Sequence, residues 1–165
     1  IKGVPTSLLL TPPRRTPDTA DPLAASLQLL RVADEVVRAF EIHTQGRFGL
    51  SRGRLGVLLW LERSGEAGLR PAELAERLRV SRPTVTTLLD GLEADGLLAR
   101  RRDPRDRRAL RVVLTRSGRA RAREIAPAHA ARLGALTRSL DDAERARLVE
   151  LLDKVRASLG ALRSP

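Results

Sequence analysis

The sequence predicts a mainly α-helical chain with one small β-hairpin, in which two short helices and the hairpin form a lobe flanked by longer helices. Apolar residues recur at helical spacing over most of the chain, which favours helices. Two short apolar runs on either side of Asp103-Pro104-Arg105-Asp106 are typical of a hairpin. With 165 residues and 42% apolar content, one domain with a sizeable core is expected.

The N-terminal 20 residues contain Pro5, Pro12, Pro13 and Pro17 and are predicted to form a flexible arm. Such an arm either touches DNA or a partner subunit, or is simply an unstructured tail, which we favour. Asp21-Pro22 then signals a helix start, and we expect the first helix to run to about Gln45 and to end at Gly46. Its apolar stripe consists of Leu23, Leu27, Leu30, Ala33, Val37 and Phe40.

Three further helices are predicted before the hairpin. Ser51 starts one that ends near Gly65, and a short one spans Ala72 to Leu78. The turn Arg79-Val80-Ser81 leads into the third, with Ser81 as N-cap and Gly96 after its end. Its apolar face consists of Val85, Leu88, Leu89 and Leu92. Two short helices joined by a three-residue turn form a helix-turn-helix, whose second helix enters the major groove of DNA.

The predicted hairpin is rich in arginine. Its strands are expected from Leu97 and from Ala109 to Leu114, and between Leu97 and Arg123 there are eleven arginines and two acids. Most of the net charge of +11 therefore lies in one stretch. A solvated surface or a genome-wide arginine bias would scatter the charge, so a polyanionic partner is the better interpretation. A helix-turn-helix followed by such a hairpin is a winged helix-turn-helix. The hairpin is called the wing, and the second helix of the helix-turn-helix is called the recognition helix.

Two helices follow the hairpin. Thr115 is expected to cap the first, from Arg116 to about Ser139, and Asp141 with Glu144 forms a capping box for the second. The apolar positions of the last helix follow heptad spacing: Leu148, Leu152, Val155, Leu159 and Leu162. We predict that this seam and the stripe of the first helix form a homodimer interface; an intramolecular core is the alternative.

Catalytic, metal and membrane functions are not indicated. The chain has no cysteine, and its two histidines, His43 and His129, are far apart and fit no metal-ligand spacing. Glycine-rich phosphate loops and nucleophile elbows are absent from the sequence, so neither a cofactor nor an enzyme is expected. No apolar run is long enough to cross a membrane, and we interpret the protein as cytoplasmic.

Residues 106–115, DRRALRVVLT, fit the pattern DxRSxxVxLT except that Ala109 replaces the serine. That pattern belongs to the MarR family of bacterial transcriptional regulators, which the chain resembles. The segment PAELAERLRVSRPTVTTLLDGLEADGLL is similar to its helix-turn-helix, and Thr115 to Gly118 to its LTxxG helix start. Two residues depart from the pattern: Arg70 stands where an N-capping threonine is usual, and Gly91 where an arginine is common.

The resemblance implies a MarR-type domain over residues 21–165. Its winged helix-turn-helix lobe would span about 51–115, between dimerisation helices at about 21–46 and 116–162. It also implies a dimeric, ligand-responsive repressor that binds double-stranded DNA at a near-palindromic operator.

The expected DNA contacts divide into three groups. Those at the start of the recognition helix are placed at base edges: Ser81, Arg82, Pro83, Thr84, Thr86 and Thr87. For Thr86, the alternative is that its side chain packs within the protein and does not contact a base. The residues expected at phosphates are Arg77, Arg79, Arg100, Arg101, Arg105 and Arg107. At the wing tip, the resemblance implies that Arg108 enters the minor groove and that Asp106 positions it; the alternative for Asp106 is a turn residue.

An effector site is implied by the resemblance alone. Family members commonly bind small aromatic or anionic ligands in a cleft where the dimerisation helices meet the DNA-binding lobe. The candidates in this chain are His43, Arg47, Arg54 and Trp60. Each has an alternative, with His43 and Arg47 as plain surface residues and Trp60 as part of the core.

A non-specific architectural or RNA-binding basic protein is the alternative function. It is disfavoured because Phe40, Phe48 and Trp60 are the only aromatic residues, and single-strand readers stack bases on aromatic rings.

Overall fold

The computed structural model describes residues 21–103 and 109–159. Their order is α1 (Pro22–Phe48), α2 (Arg52–Ser64), a 3₁₀ turn (Gly65–Ala67), α3 (Pro71–Leu78), α4 (Arg82–Ala94), β1 (Leu98–Arg102), β2 (Leu110–Leu114), α5 (Arg116–Ala135) and α6 (Asp142–Ser158). The chain divides into two compact units, residues 1–52 and 53–165. The predicted fold class, mainly α with one β-hairpin, is confirmed.

The described part of the first unit is dominated by α1. Asp21 caps it as expected, since its carboxylate accepts a hydrogen bond from the Leu23 N–H at 3.0 Å. The prediction that Gly46 ends the helix was wrong. A helix of this kind closes where a residue adopts the left-handed conformation, and Gly49 does so with a φ of 64°, donating its N–H to the carbonyl of Gln45.

In the second unit, the helix-turn-helix and the hairpin share one apolar core. α2, α3, α4 and α5 each contribute one face to it, as do the two strands. The most deeply buried of its larger side chains are Val57, Leu58, Leu61, Leu74, Val85, Leu89, Leu92, Leu98, Val112 and Ile125. Leu78, the last residue of α3, is half-buried. Because the apolar face of each element is buried in this core, α4 is fixed against α3 and the polar side of α4 is left in solvent.

The hairpin is antiparallel, with Leu98 opposite Leu114 and Arg102 opposite Leu110. A single residue before α3 extends it, because Leu69 and Val112 exchange backbone hydrogen bonds of 3.0 and 2.8 Å. Gly68 precedes that bridge with a φ of 61°, and a Cβ there would lie 2.3 Å from the carbonyl oxygen of Val112. The base of the wing is thereby attached to the segment that enters α3.

The predicted caps of the C-terminal helices are confirmed. Thr115 caps α5 by accepting from the Gly118 N–H at 3.0 Å, and Asp141 and Glu144 form a complete capping box on α6. α5 ends at Ala135 rather than near Ser139, because residues 136–140 form tighter turns with bonds between residues three apart. Arg145 of α6 donates to the carbonyls of Thr137 and Leu140 in that turn.

Gly118 is required by close packing at the start of α5. A Cβ at this position would lie 1.8 Å from the carbonyl oxygen of Leu97, so the backbone there would have to move. We expect Gly118→Ala to lower the free energy of unfolding by about 1–3 kcal/mol or more, measured by urea denaturation.

Gly134→Ala is the matched control in the same helix, because a Cβ there would meet no heavy atom within 4 Å. It should raise the free energy of unfolding by up to about 1 kcal/mol, since alanine favours the helix. Equal effects of the two variants would contradict the close approach of α5 to Leu97.

Candidate nucleic-acid interface

The N-terminal edge of α4 is polar and exposed. Ser81 caps the helix, with its hydroxyl 3.3 Å from the Thr84 N–H and 2.7 Å from the Thr84 hydroxyl. Arg82 and Pro83 occupy the first turn, where proline costs no helical hydrogen bond. Because Val85 and Leu89 hold the opposite face in the core, this edge is presented to solvent.

Thr86 and Thr87 lie one turn further along the exposed side of α4. The Thr86 hydroxyl donates to the carbonyl of Arg82 at 3.1 Å, and that of Thr87 to the carbonyl of Pro83 at 3.2 Å. Packing, the alternative for Thr86, is not what the structure shows, because its side chain is exposed. Each hydroxyl uses its proton within the helix, so what it offers outward is an acceptor oxygen and a methyl group.

Arg77 and Arg79 lie at the end of α3, close in sequence to the start of α4. The Arg77 guanidinium lies 5.0 Å from the ring centroid of Trp60. Arg79 has a left-handed backbone, with a φ of 54°, and closes α3 with its N–H on the carbonyls of Ala75 and Glu76. Neither side chain forms an ion pair with any residue that the structure describes, so both charges remain available.

Arg100 and Arg101 are neighbours on β1 but differ in their surroundings. Arg100 forms ion pairs with Asp90, at 2.5 Å, and with Glu93, both on α4. The hydrogen bond to Asp90 raises the pKa of the Arg100 guanidinium, against the opposing effect of partial burial. Arg101 is exposed and, within residues 21–103 and 109–159, has no carboxylate partner. Arg100 therefore fastens β1 to α4, while Arg101 keeps its charge free.

The wing tip lies outside the described residues. The predictions for Arg105, Asp106, Arg107 and Arg108 concern that segment, and they stay predictions.

The base of the wing holds a buried carboxylate that the sequence did not single out. Asp103 follows β1 and is 1% exposed. It accepts hydrogen bonds from the Nε of Arg111 on β2 at 2.7 Å and from the guanidinium of Arg70 at 3.1 Å. Arg111 also donates to the carbonyls of Ala67 and Gly68, both at 3.1 Å. This Asp103 cluster joins both strands to the segment before α3.

The unusual residue at the start of α3 is explained by that cluster. Arginine has no acceptor atom and cannot cap a helix as threonine does. Glu73 compensates by accepting from the Arg70 backbone N–H at 2.6 Å, which is half of a capping box. The Arg70 side chain is left to reach Asp103.

Of the candidate effector residues, His43 and Arg47 belong to the first unit, and Arg54 and Trp60 belong to the second. Arg47 is exposed, with its guanidinium over the ring of Phe48, and His43 meets the same ring edge-on at 5.9 Å. Arg54 has a structural role, because it donates to the carbonyl of Gly91 at 3.0 Å and pairs with Asp95 on the same turn. Its guanidinium also lies against Gly91, the second position that departs from the family pattern.

Trp60 is half-buried rather than part of the core. It lines a cleft of about 400 Å³ between α2 and α5. The lining is mostly apolar, but it also holds charged side chains; it includes Leu59, Glu62, Arg63, Ala126, His129 and Leu133. The sequence raised His129 only as a possible metal ligand. The sequence does contain a pattern that predicts its place in the cleft. His129 follows Ala126 by three residues and precedes Leu133 by four, so all three lie on one face of α5.

Metal and membrane sites are not found among the described residues. No group of three or more metal-ligating side chains occurs in the part of the chain that the structure describes. Among the same residues, no helix is both long and apolar enough to span a membrane.

Comparison with known proteins places this geometry in a family. A model of the MarR family matches residues 48–109. The transcriptional repressor YetL of Bacillus subtilis is 34% identical over 133 residues, which cover 81% of this chain and 79% of YetL. The chain belongs to the MarR family. It is thus a transcriptional regulator, with the winged-helix fold described above.

Two further relatives of this MarR-family chain extend the comparison. The regulator YkoM of Bacillus subtilis is 30% identical and covers 78% of this chain, with 84% of YkoM matched. The structure of Streptococcus pneumoniae FabT in complex with DNA superimposes with a TM-score of 0.71 at 25% identity, covering 87% of this chain and 100% of FabT.

The Asp103 cluster should contribute measurably to stability. Asp103→Asn keeps the shape of the side chain but removes the charge that two guanidinium groups share. We expect a loss of about 1.5–3 kcal/mol in the free energy of unfolding, measured by urea denaturation, because hydrogen bonds to charged groups are of that strength.

The control is Glu124→Gln, which removes the carboxylate of an ion pair with Arg121 on the surface of α5. Exposed pairs contribute little, so its effect should stay below about 1 kcal/mol. A decrease in stability in Asp103→Asn no greater than in this control would contradict the role assigned to the cluster.

Proposed function

We propose that this MarR-family protein is a homodimeric repressor that binds a near-palindromic operator in duplex DNA. The observation that carries the proposal is the exposed polar edge of α4, where Arg82 accompanies three threonine hydroxyls. Arg77 and Arg79, at the end of α3, and Arg101, on β1, are also exposed and have no carboxylate partner among the described residues. A cytoplasmic location is part of the proposal, since that is where a bacterial chromosome lies.

Base reading is assigned to the start of α4. Arg82 can bind guanine through two N–H groups, and Thr84 and Thr87 offer acceptor oxygens and methyl groups to base edges. Because the Thr87 hydroxyl donates within its helix, its oxygen is suited to accept from the amino group of adenine or cytosine. Ser81, Pro83 and Thr86 shape the same edge.

Phosphate contacts are assigned to Arg77, Arg79 and Arg101. Arg100 is reassigned from phosphate binding to holding β1 on α4, because Asp90 and Glu93 already neutralise it. At the wing tip, the family pattern still supports Arg108 in the minor groove, positioned by Asp106, with Arg105 and Arg107 at the backbone. The proposal receives support from the FabT complex with DNA and from the role of YetL as a transcriptional repressor.

Dimerisation is supported by apolar side chains that α6 leaves exposed. Leu152, Val155 and Leu159 of the predicted seam are 42–48% exposed in the single chain. Leu23, Leu27 and Leu30 of α1 are exposed as well. Two-fold symmetry would place the two α4 helices in successive major grooves, about 34–36 Å apart.

Effector binding is the finer part of the proposal. The cleft between α2 and α5 supports it, since its lining is largely apolar but includes Glu62, Arg63 and His129. A small aromatic molecule, carrying an anionic group that Arg63 can bind, fits this arrangement.

The aromatic side chains do not favour the alternative of an RNA-binding or architectural protein. Phe40 and Phe48 are buried, and Trp60 is half-buried beneath two guanidinium groups. None of the three offers an open ring on which a single-stranded base could stack.

The seam on α6 is tested by placing a charge in it. Leu152→Asp and Leu159→Asp should shift sedimentation from dimer to monomer, because a dimer interface would have to bury an unpaired carboxylate. Ala157→Asp is the control, since residue 157 lies on the opposite side of α6 by helical spacing. If the Leu variants sediment as Ala157→Asp does, the seam lies elsewhere.

The division of DNA contacts is tested with Thr87→Ala and Arg101→Ala. Arg101→Ala should lower the slope of log affinity against log salt by about 0.9 for each phosphate that the arginine no longer neutralises, on operator and scrambled duplex alike. Thr87→Ala should leave that slope unchanged and cost about 1–3 kcal/mol of discrimination at one or two base pairs. Fluorescence anisotropy at several salt concentrations measures both quantities.

Arg100→Ala is the control for charge alone, because its guanidinium is already paired. Arg100→Ala should lower the free energy of unfolding, and it should leave the slope of log affinity against log salt nearly unchanged. The same salt slope in Arg101→Ala and Thr87→Ala would contradict the assignment.

A further inference from the structure

Trp60 of α2 lies beneath a guanidinium group of the proposed DNA surface. Arg77 of α3 is 5.0 Å from its ring centroid, and Arg63 is 5.5 Å from the same centroid. We infer that Trp60 is a positioning residue, which holds Arg77 in the orientation that binds a DNA phosphate. The inference rests on the proposed function.

The geometry of guanidinium explains how one group can serve two partners. A cation over an aromatic face is attracted by the negative potential of the ring, within about 6 Å of its centroid. Arginine stacks through its flat face, whereas its N–H groups point outward in the plane of the guanidinium. An Arg77 guanidinium that lies flat over Trp60 would keep its hydrogen-bonding edge open to a phosphate.

The local charges favour this role for Arg77 over its neighbours. Arg100 is held by two carboxylates, but Arg77 has no carboxylate partner among residues 21–103 and 109–159. A neutral ring holds the side chain without cancelling its charge. An arginine that is ordered before binding loses less side-chain entropy on meeting its phosphate, so the stack should strengthen binding.

Trp60 is suited to this task because its helix is fixed in the core while its ring stays partly exposed. Its neighbours on α2, Leu58 and Leu61, are fully buried, which fixes the helix on which the ring is carried. The ring itself is half-exposed and lines the cleft beside α5.

A double-mutant cycle tests the coupling. The probe is a duplex that the wild-type protein selects from a random-sequence library, and affinity is read by anisotropy. Trp60→Leu should weaken binding about two- to fivefold, the range expected for an exposed cation–π contact, and Trp60→Phe should keep most of the affinity. In an Arg77→Ala background, Trp60→Leu should have no further effect.

Arg101→Ala provides the matched background, since it also removes one proposed phosphate contact, but Arg101 lies on β1 and is not one of the two guanidinium groups over the ring. There Trp60→Leu should again weaken binding by its full factor, because sites that share no contact are additive. Equal effects of Trp60→Leu in the two backgrounds would overturn the inference. So would a decrease in affinity in Trp60→Phe as large as that in Trp60→Leu.

Fluorescence supplies a readout that does not depend on a variant of the ring. Trp60 is the only tryptophan in the chain, so intrinsic emission reports on this site alone. Binding of the selected duplex should change the emission of the wild type and of Arg101→Ala, and leave that of Arg77→Ala unchanged. An identical change in all three would also overturn the inference.

The outcomes separate the inference from the function on which it rests. Failure of the wild type to select any duplex would remove the proposed operator binding. The wild type could instead select a duplex while the effects of Trp60→Leu and Arg77→Ala on affinity are additive. That result would leave operator binding intact and remove only the positioning role.

Discussion

The carboxylate of Asp103 is the constraint on which the placement of the wing depends. It is buried, and its negative charge is balanced by Arg70 from the segment before α3 and by Arg111 from β2. A buried carboxylate without these partners would be strongly unfavourable. Burial of Asp103 therefore requires that the end of β1, strand β2 and the segment before α3 all be in place. The hairpin bridge between Leu69 and Val112 holds the same segments through the backbone. Whatever the wing tip contacts, its base is therefore oriented by α3.

Ion pairing also decides which arginines of a very basic chain can meet a polyanion. Arg54, Arg70, Arg100 and Arg111 each lie against a carboxylate and connect elements of the fold. Arg77, Arg79, Arg82 and Arg101 are exposed and, in the described part of the chain, have no such partner. Net charge alone does not distinguish the two groups, because every arginine in both contributes the same positive charge. Only the position of the acids in space separates them.

The sequence predicted the elements well because their signals are local. Caps such as Ser81, Thr115 and Asp141 act over three residues, and apolar spacing shows which face of each helix is buried. The end of α1 was misplaced because two glycines lie three residues apart, and only the backbone shows that Gly49, not Gly46, is left-handed.

The candidate site was less predictable because its decisive contacts join distant segments. Asp103 lies 33 residues from Arg70, and Arg54 lies 41 residues from Asp95, so no local pattern indicates either pair. Both departures from the family pattern take part in these contacts. Arg70 gives up capping and balances Asp103, and Gly91 leaves room for the guanidinium of Arg54.

The exposed faces of the C-terminal helices connect the stability of the fold to its assembly. α6 buries none of its described residues in the single chain, although Val149, Leu151, Leu152 and Val155 are large and apolar. In proteins most of a helix's stability comes from packing of its apolar face, and the apolar face of α6 is exposed in the single chain. In the proposed dimer, the partner subunit would cover this face, and folding of α6 would be coupled to association. DNA binding and dimerisation would then share one requirement, since only an assembled pair presents two α4 edges to one duplex.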